Sequence, residues 1–128
     1  MNISARSVST ALFLILILCL GIWRFEAQTK FFRRAYDEMF LDNRNHYLSC
    51  DQLPSEAEVR QVVDKHQDVI REIEQIHPGF IGVEMDNSVC PGKADLLFWY
   101  GTHQDRLQIE NRIAGKTFYG IPYRLENR

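Results

Sequence analysis

The sequence predicts the α+β class: an N-terminal membrane helix followed by a small α/β sandwich with the element order αββαβ. Three observations carry this expectation. Residues 8–23 hold no charge and are almost wholly apolar. Val59, Val62, Val63, Ile70, Ile73 and Ile76 recur at helical spacing with polar residues opposite. Residues 80–86, 94–101 and 117–125 read as strands, and a polar helical stretch separates the last two. If residues 46–50 add a leading strand, the order becomes βαββαβ, the ferredoxin-like arrangement.

The sixteen residues 8–23 reach ~24 Å as a helix, short of the ~30 Å hydrocarbon core of a bilayer. Ser4, Ala5 and Phe25 extend the run, with Arg6 and Arg24 snorkelling outward. Trp23, Arg24 and Phe25 are the residue types that favour the membrane–water interface. A cleaved signal peptide needs small residues before the cut, which Cys19 and Gly21 supply poorly. A lipoprotein needs a small residue before its modified cysteine, and Leu18 precedes Cys19. An uncleaved anchor needs only apolarity and length. The expected division is therefore a tail over 1–7, a transmembrane signal anchor over 8–23, an amphipathic juxtamembrane helix over 24–44 and a small extracytoplasmic α/β domain over 45–128. Asn2-Ile3-Ser4 fits the glycosylation pattern but precedes the apolar run and carries no weight.

In the juxtamembrane segment Phe25, Phe32, Tyr36 and Phe40 follow one another at spacings of seven, four and four, one helical face. Such a face either covers its own domain, lies on the lipid surface or receives a partner. No long Gly/Ser/Pro stretch separates it from the domain, so a floppy tether is not expected.

Within the domain, Ser55 and Glu58 form a capping-box pattern that starts a helix, and His77-Pro78-Gly79 stops it. Ile81, Val83 and Met85 alternate with Gly82, Glu84 and Asp86 in the first strand. Residues 96–100 (Leu-Leu-Phe-Trp-Tyr) are apolar on both faces, the mark of a central strand. Thr102 can cap a short helix that Gly115 ends. Tyr119, Ile121, Tyr123 and Leu125 share one face of the last strand, and Pro122 marks it as an edge. The last two strands should run parallel across a helical crossover.

These directions predict a covalent bond. The first domain helix and the strand after it are joined by a tight turn, so the helix start and the strand end lie at one pole. Cys50 precedes the helix and Cys90 follows the strand, so chain direction alone places both cysteines at that pole. A small exported domain gains from such a staple. A structural disulfide, a redox pair and part of a metal site are the readings, and the disulfide is the one expected. No C-x-x-C is present, so thioredoxin-like chemistry lacks its motif. Arg24, Lys30, Arg33 and Arg34 would by the charge rule place the domain in the cytoplasm. A disulfide requires an oxidising compartment and argues the opposite, so an extracytoplasmic domain of a single-pass cell-membrane protein is expected.

Little else points to chemistry. The chain of 128 residues has 15 Lys+Arg against 17 Asp+Glu. Residues 45–128 hold nine basic and thirteen acidic residues, which does not suit a nucleic-acid partner. Phosphate-loop, dinucleotide, serine-hydrolase and zinc-protease motifs are missing from the sequence. His46 and Asp51 lie near the cysteine pole without the close ligand spacing of a metal site. His77 and His103 should share the opposite pole, where a cap or surface role is the ordinary one. Glu84 and Asp86 share the polar face of a strand, where general acid/base work is one reading and a solvated sheet face the ordinary one. No catalytic residue, cofactor or metal is assigned. The expected function is a membrane-anchored, non-catalytic interaction module, an accessory subunit of a larger membrane assembly. Its partners are the lipid bilayer and a protein partner or second copy, met through Phe32, Tyr36, Phe40, Tyr119 and Tyr123. The alternative is an extracytoplasmic thiol-redox or metal-binding protein using Cys50 and Cys90.

Overall fold

The computed structural model describes residues 5–128, so the Asn2 pattern and most of the N-terminal tail lie outside the described residues. The chain divides into two compact units, one reaching Tyr36 and the other spanning Asp37–Arg128.

The first unit begins with α1 (Ala5–Thr29). Its stretch Val8–Thr29 has a mean hydropathy of 2.2 and none of it is buried by the rest of the chain. The 22 residues of that stretch reach ~33 Å, long and apolar enough to span a membrane. Trp23, Arg24 and Phe25 thus lie inside a helix that runs six residues further than the uncharged run. Lys30 adopts a left-handed conformation (φ 53°) and separates α1 from α2 (Phe31–Phe40). Glu26 makes this elbow. Its two carboxylate oxygens accept from the amides of Phe32 (2.8 Å) and Arg33 (3.1 Å), satisfying donors at the start of α2. Thr29 Oγ1 accepts from the Phe31 amide.

The second unit is an α+β domain of α3 (Glu56–Lys65), α4 (Gln67–Glu74), β1 (Ile81–Asp86), β2 (Asp95–Tyr100), α5 (His103–Ile113), β3 (Thr117–Phe118) and β4 (Ile121–Asn127). Its mixed sheet has the order β1-β2-β4-β3, with β1 antiparallel and β4 parallel to β2. The antiparallel hairpin and the parallel βαβ unit are both present. Val59 of α3, Val69 and Ile73 of α4 and Ile109 of α5 join Leu96, Phe98, Tyr100, Ile121, Tyr123 and Leu125 in one core. The three helices therefore cover one sheet face. The alternate residues of the strands form the other face.

Both predicted caps are formed. Ser55 Oγ accepts from the Glu58 amide while Glu58 accepts from the Ser55 amide, and Thr102 and Asp105 do the same at α5. The helix expected over 56–76 is interrupted at His66, which ends α3 and begins α4 with φ −119° and ψ 29°. His66 sits within the apolar stripe, and its ring stacks on Tyr119 at a centroid distance of 3.6 Å.

Three expectations are corrected. Residues 46–50 form no strand, so the βαββαβ order is not realised. Side chains take the amides that a ladder would need: Asn45 Oδ1 accepts from Tyr47 N, and His46 Nδ1 from Leu48 N. Ser49 and Gln52 then box a short 3-10 turn at Cys50–Gln52. The last strand is not continuous from 117 to 125. Tyr119 (φ 49°) and Gly120 (φ 92°) fold it into a two-residue hairpin between β3 and β4. That hairpin changes the edge. The outer side of β4 pairs with β3 and exchanges two backbone hydrogen bonds between Arg44 and Leu125. Pro122 lies within this paired strand, opposite Thr117. The long open edge among the described residues is that of β1, which pairs only with β2.

Candidate functional site

The cysteine pole is built by the connections around α3 and β2. Glu56 N donates to Gly92 O, and Ala94 N to Pro54 O, drawing the two cysteine-bearing loops together. Cys50 and Cys90 are bonded, with Cα atoms 5.5 Å apart and a sequence separation of 40. Cys50 is exposed and Cys90 buried. Because their Sγ atoms are bonded to each other, they are not open to a metal in this form. Among the described residues no group of three His, Cys, Asp or Glu side chains is arranged to hold one. Cys19, the third cysteine, is free and exposed on α1.

Beside this pole, on the sheet face away from the helices, runs an ion-pair network that the sequence did not signal. Asp95 lies at the start of the apolar run of β2 and is buried. Its carboxylate takes a two-pronged contact from the Arg124 guanidinium, Nε to Oδ2 at 2.6 Å and Nη2 to Oδ1 at 3.0 Å. The same guanidinium pairs with Asp86. His46 Nε2 lies 2.7 Å from Asp95 Oδ2. Since His46 Nδ1 accepts from Leu48 N, the proton sits on Nε2, which donates to the carboxylate. Burial pushes the Asp95 carboxyl up, but the His46 and Arg124 hydrogen bonds outweigh it and hold it below its ordinary value. The Ser88 hydroxyl and amide, aided by Arg124, lower Asp86 to about 2. Glu84 on the same face pairs with Arg128. Neither Glu84 nor Asp86 stands as an unengaged acid.

The opposite pole gathers His77 and His103, as chain direction requires, around the start of α5. His77 Nδ1 is 3.1 Å from both oxygens of Asp105. His103 Nδ1 and Arg106 Nη1 each lie 2.8 Å from Asp42 Oδ1. Tyr100 donates its hydroxyl to the Asp42 carbonyl, and burial, reinforced by Asp42, raises its pKa so that it stays a neutral donor. Arg44 and Arg106 both reach Glu110. These contacts fasten residues 42–44 to β2 and α5. Asp51 is fully exposed beside Ser49 and does not join His46.

The residues expected to meet partners separate into two groups. Phe32, Tyr36 and Phe40 lie exposed on α2, together with Phe31 and Met39. Tyr119 is 54% exposed on the β3–β4 turn and lines a groove with Val62 and His66. Tyr123 is 4% exposed, and its hydroxyl donates to Gly115 O at 2.8 Å. It is a core residue and leaves the accessible set. A second groove of about 270 Å3 lies between the helices α3 and α4 and the strands β1 and β2, lined by Val63, Ile70, Val83, Met85 and Leu96 with Gln67, Arg71 and Glu74.

Comparison with protein-family models, with curated proteins and with solved structures finds no significant match to this chain.

Proposed function

We propose that the chain is a membrane-anchored, non-catalytic interaction module, with its α+β domain outside the cytoplasm as an accessory part of a larger membrane assembly. One observation carries the reading: an unburied apolar helix of membrane length leads, through α2, into a domain closed by a disulfide. Three features support the rest. A disulfide suits an oxidising compartment. The acidic and histidine clusters at both poles are engaged in ion pairs that join elements of the fold. The open backbone edge of β1, the strand whose Val83 and Met85 line the second groove, suits the addition of an extended strand from a protein partner.

The test is a photo-crosslinking residue in place of Glu84 in the full chain, expressed in its native membrane. A discrete crosslinked partner or homodimer is the expected product. Uncrosslinked monomer alone, after extraction in mild detergent, contradicts the reading. The exposure of Cys50 favours one second reading, a thiol-redox protein. A reduction potential well above that of structural disulfides would support it over the first.

A further inference from the structure

The edge of β1 carries enough chemistry to say what kind of strand it takes. β1 meets β2 residue for residue, from Ile81 opposite Tyr100 to Asp86 opposite Asp95, without a bulge or a proline. Among the described residues no other strand pairs with it. Its outward N–H and C=O groups are therefore open to one further strand. The side chains of that strand would stand beside those of β1, alternately on the two faces of the sheet.

The two faces call for different residues. Toward the helices β1 presents Val83 and Met85, which pack on the core only in part. Cross-strand neighbours of these two need to be apolar. On the other face stand Gly82, Glu84 and Asp86, and with no side chain on Gly82 the two acids set the chemistry. Their charge is not cancelled. Arg128 bridges Glu84 and Glu126, at 3.2 and 3.1 Å, while Arg124 serves both Asp86 and Asp95, so two guanidinium groups face four carboxylates. His46, whose Nδ1 accepts from Leu48 N, adds no charge beside Asp95. This face thus keeps a negative balance next to the open edge. Opposite charges on paired strands attract and like charges repel. A second copy would bring the same acids to the same edge, so charge disfavours pairing of β1 with itself.

We propose that β1 takes up an extended segment of another protein in which lysine or arginine alternates with apolar residues. The basic side chains lie over the Glu84 and Asp86 face, and the apolar ones lie beside Val83 and Met85. The inference rests on the interaction-module reading and names the chemistry of its partner.

The experiment uses the full chain in mild detergent with its disulfide intact. The probes are three fluorescent heptapeptides: alternating lysine and valine, alternating glutamate and valine, and the lysine peptide with two adjacent central amides N-methylated. The last keeps the charge but lacks a donor on whichever side faces β1. By anisotropy at low salt the lysine peptide should bind at least about tenfold more tightly than either of the others. At saturation it should slow hydrogen exchange of the outward β1 amides at least about tenfold. Glu84→Lys should cut the preference for lysine over glutamate at least about threefold, with an unchanged thermal midpoint. Equal binding of the lysine peptide and its N-methylated form would mean charge attraction without strand pairing, and overturns the inference. Equal binding of the lysine and glutamate peptides, or unchanged exchange in β1, overturns it too. None of these outcomes touches the interaction-module reading, which the crosslink at Glu84 decides. There, a homodimer, or a partner whose crosslinked segment lacks the basic–apolar alternation, overturns this inference alone, and uncrosslinked monomer overturns both.

Discussion

The indole of Trp99 lies over Gly82, its cross-strand neighbour in the β1–β2 pair, so closely that a Cβ on Gly82 would stand 2.3 Å from the ring. The missing side chain lets a large ring cover the sheet face away from the helices. Gly82→Ala should therefore destabilise the full chain in detergent by about 1–3 kcal/mol, the usual range for overpacking. In a Trp99→Leu background the same change should be much milder, as a double-mutant cycle by denaturant unfolding would read. Equal losses in both backgrounds would show that the ring is not the obstacle.

The Cys50–Cys90 bond closes a long segment, with a sequence separation of 40. In the loop-entropy account, removing it by Cys50→Ser with Cys90→Ser should lower stability by roughly 4 kcal/mol. Thermal unfolding of wild type with and without reductant should reproduce the shift. An unchanged midpoint in both comparisons would sink the structural role.

Acid should weaken the domain through Asp86. Its folded pKa, lowered to about 2 by the Ser88 hydrogen bonds and Arg124, lies below its value in the unfolded chain, about 4. The stabilisation is thus fully present above about pH 4 and is lost as pH falls toward 2, on the order of 2 kcal/mol. Unfolding measured from pH 6 to 2 should show a shallower acid loss for Asp86→Asn. Parallel curves for wild type and variant would contradict this.

Ser55→Ala removes the acceptor for the Glu58 amide and leaves the Glu58 carboxylate without its Oγ partner. It should cost about 1 kcal/mol. Fraying should be visible as faster hydrogen exchange in the first turn of α3 and not in α5, whose own box is intact.

Local signals were readable in the residues themselves. The α3 start follows from Ser55 and Glu58, the strands from alternation and from the apolar run at 96–100, and the cysteine pairing from chain direction across the 77–79 turn. What escaped has physical reasons. The leading strand fails because Asn45 and His46 accept backbone amides locally. The turn at Tyr119-Gly120 hides within an apolar alternation that reads as unbroken strand. His66 occupies a stripe position by stacking on Tyr119, a contact supplied by a hairpin distant in sequence. The pairs Asp42–Arg106 and Asp86–Arg124 join residues 64 and 38 positions apart, and no periodicity signals such a contact.

The proposed function requires an anchored chain with its domain outside the cytoplasm. Thiol labelling of the Cys19→Ser protein in intact cells or spheroplasts tests it most directly, using a membrane-impermeant reductant and then a membrane-impermeant maleimide of large mass. With the domain outside, no mass shift is expected without reductant, and a two-site shift, at Cys50 and Cys90, is expected once the impermeant reductant is added. Two sites that label without reductant, and only after the cells are lysed, would place a reduced domain in the cytoplasm and contradict it.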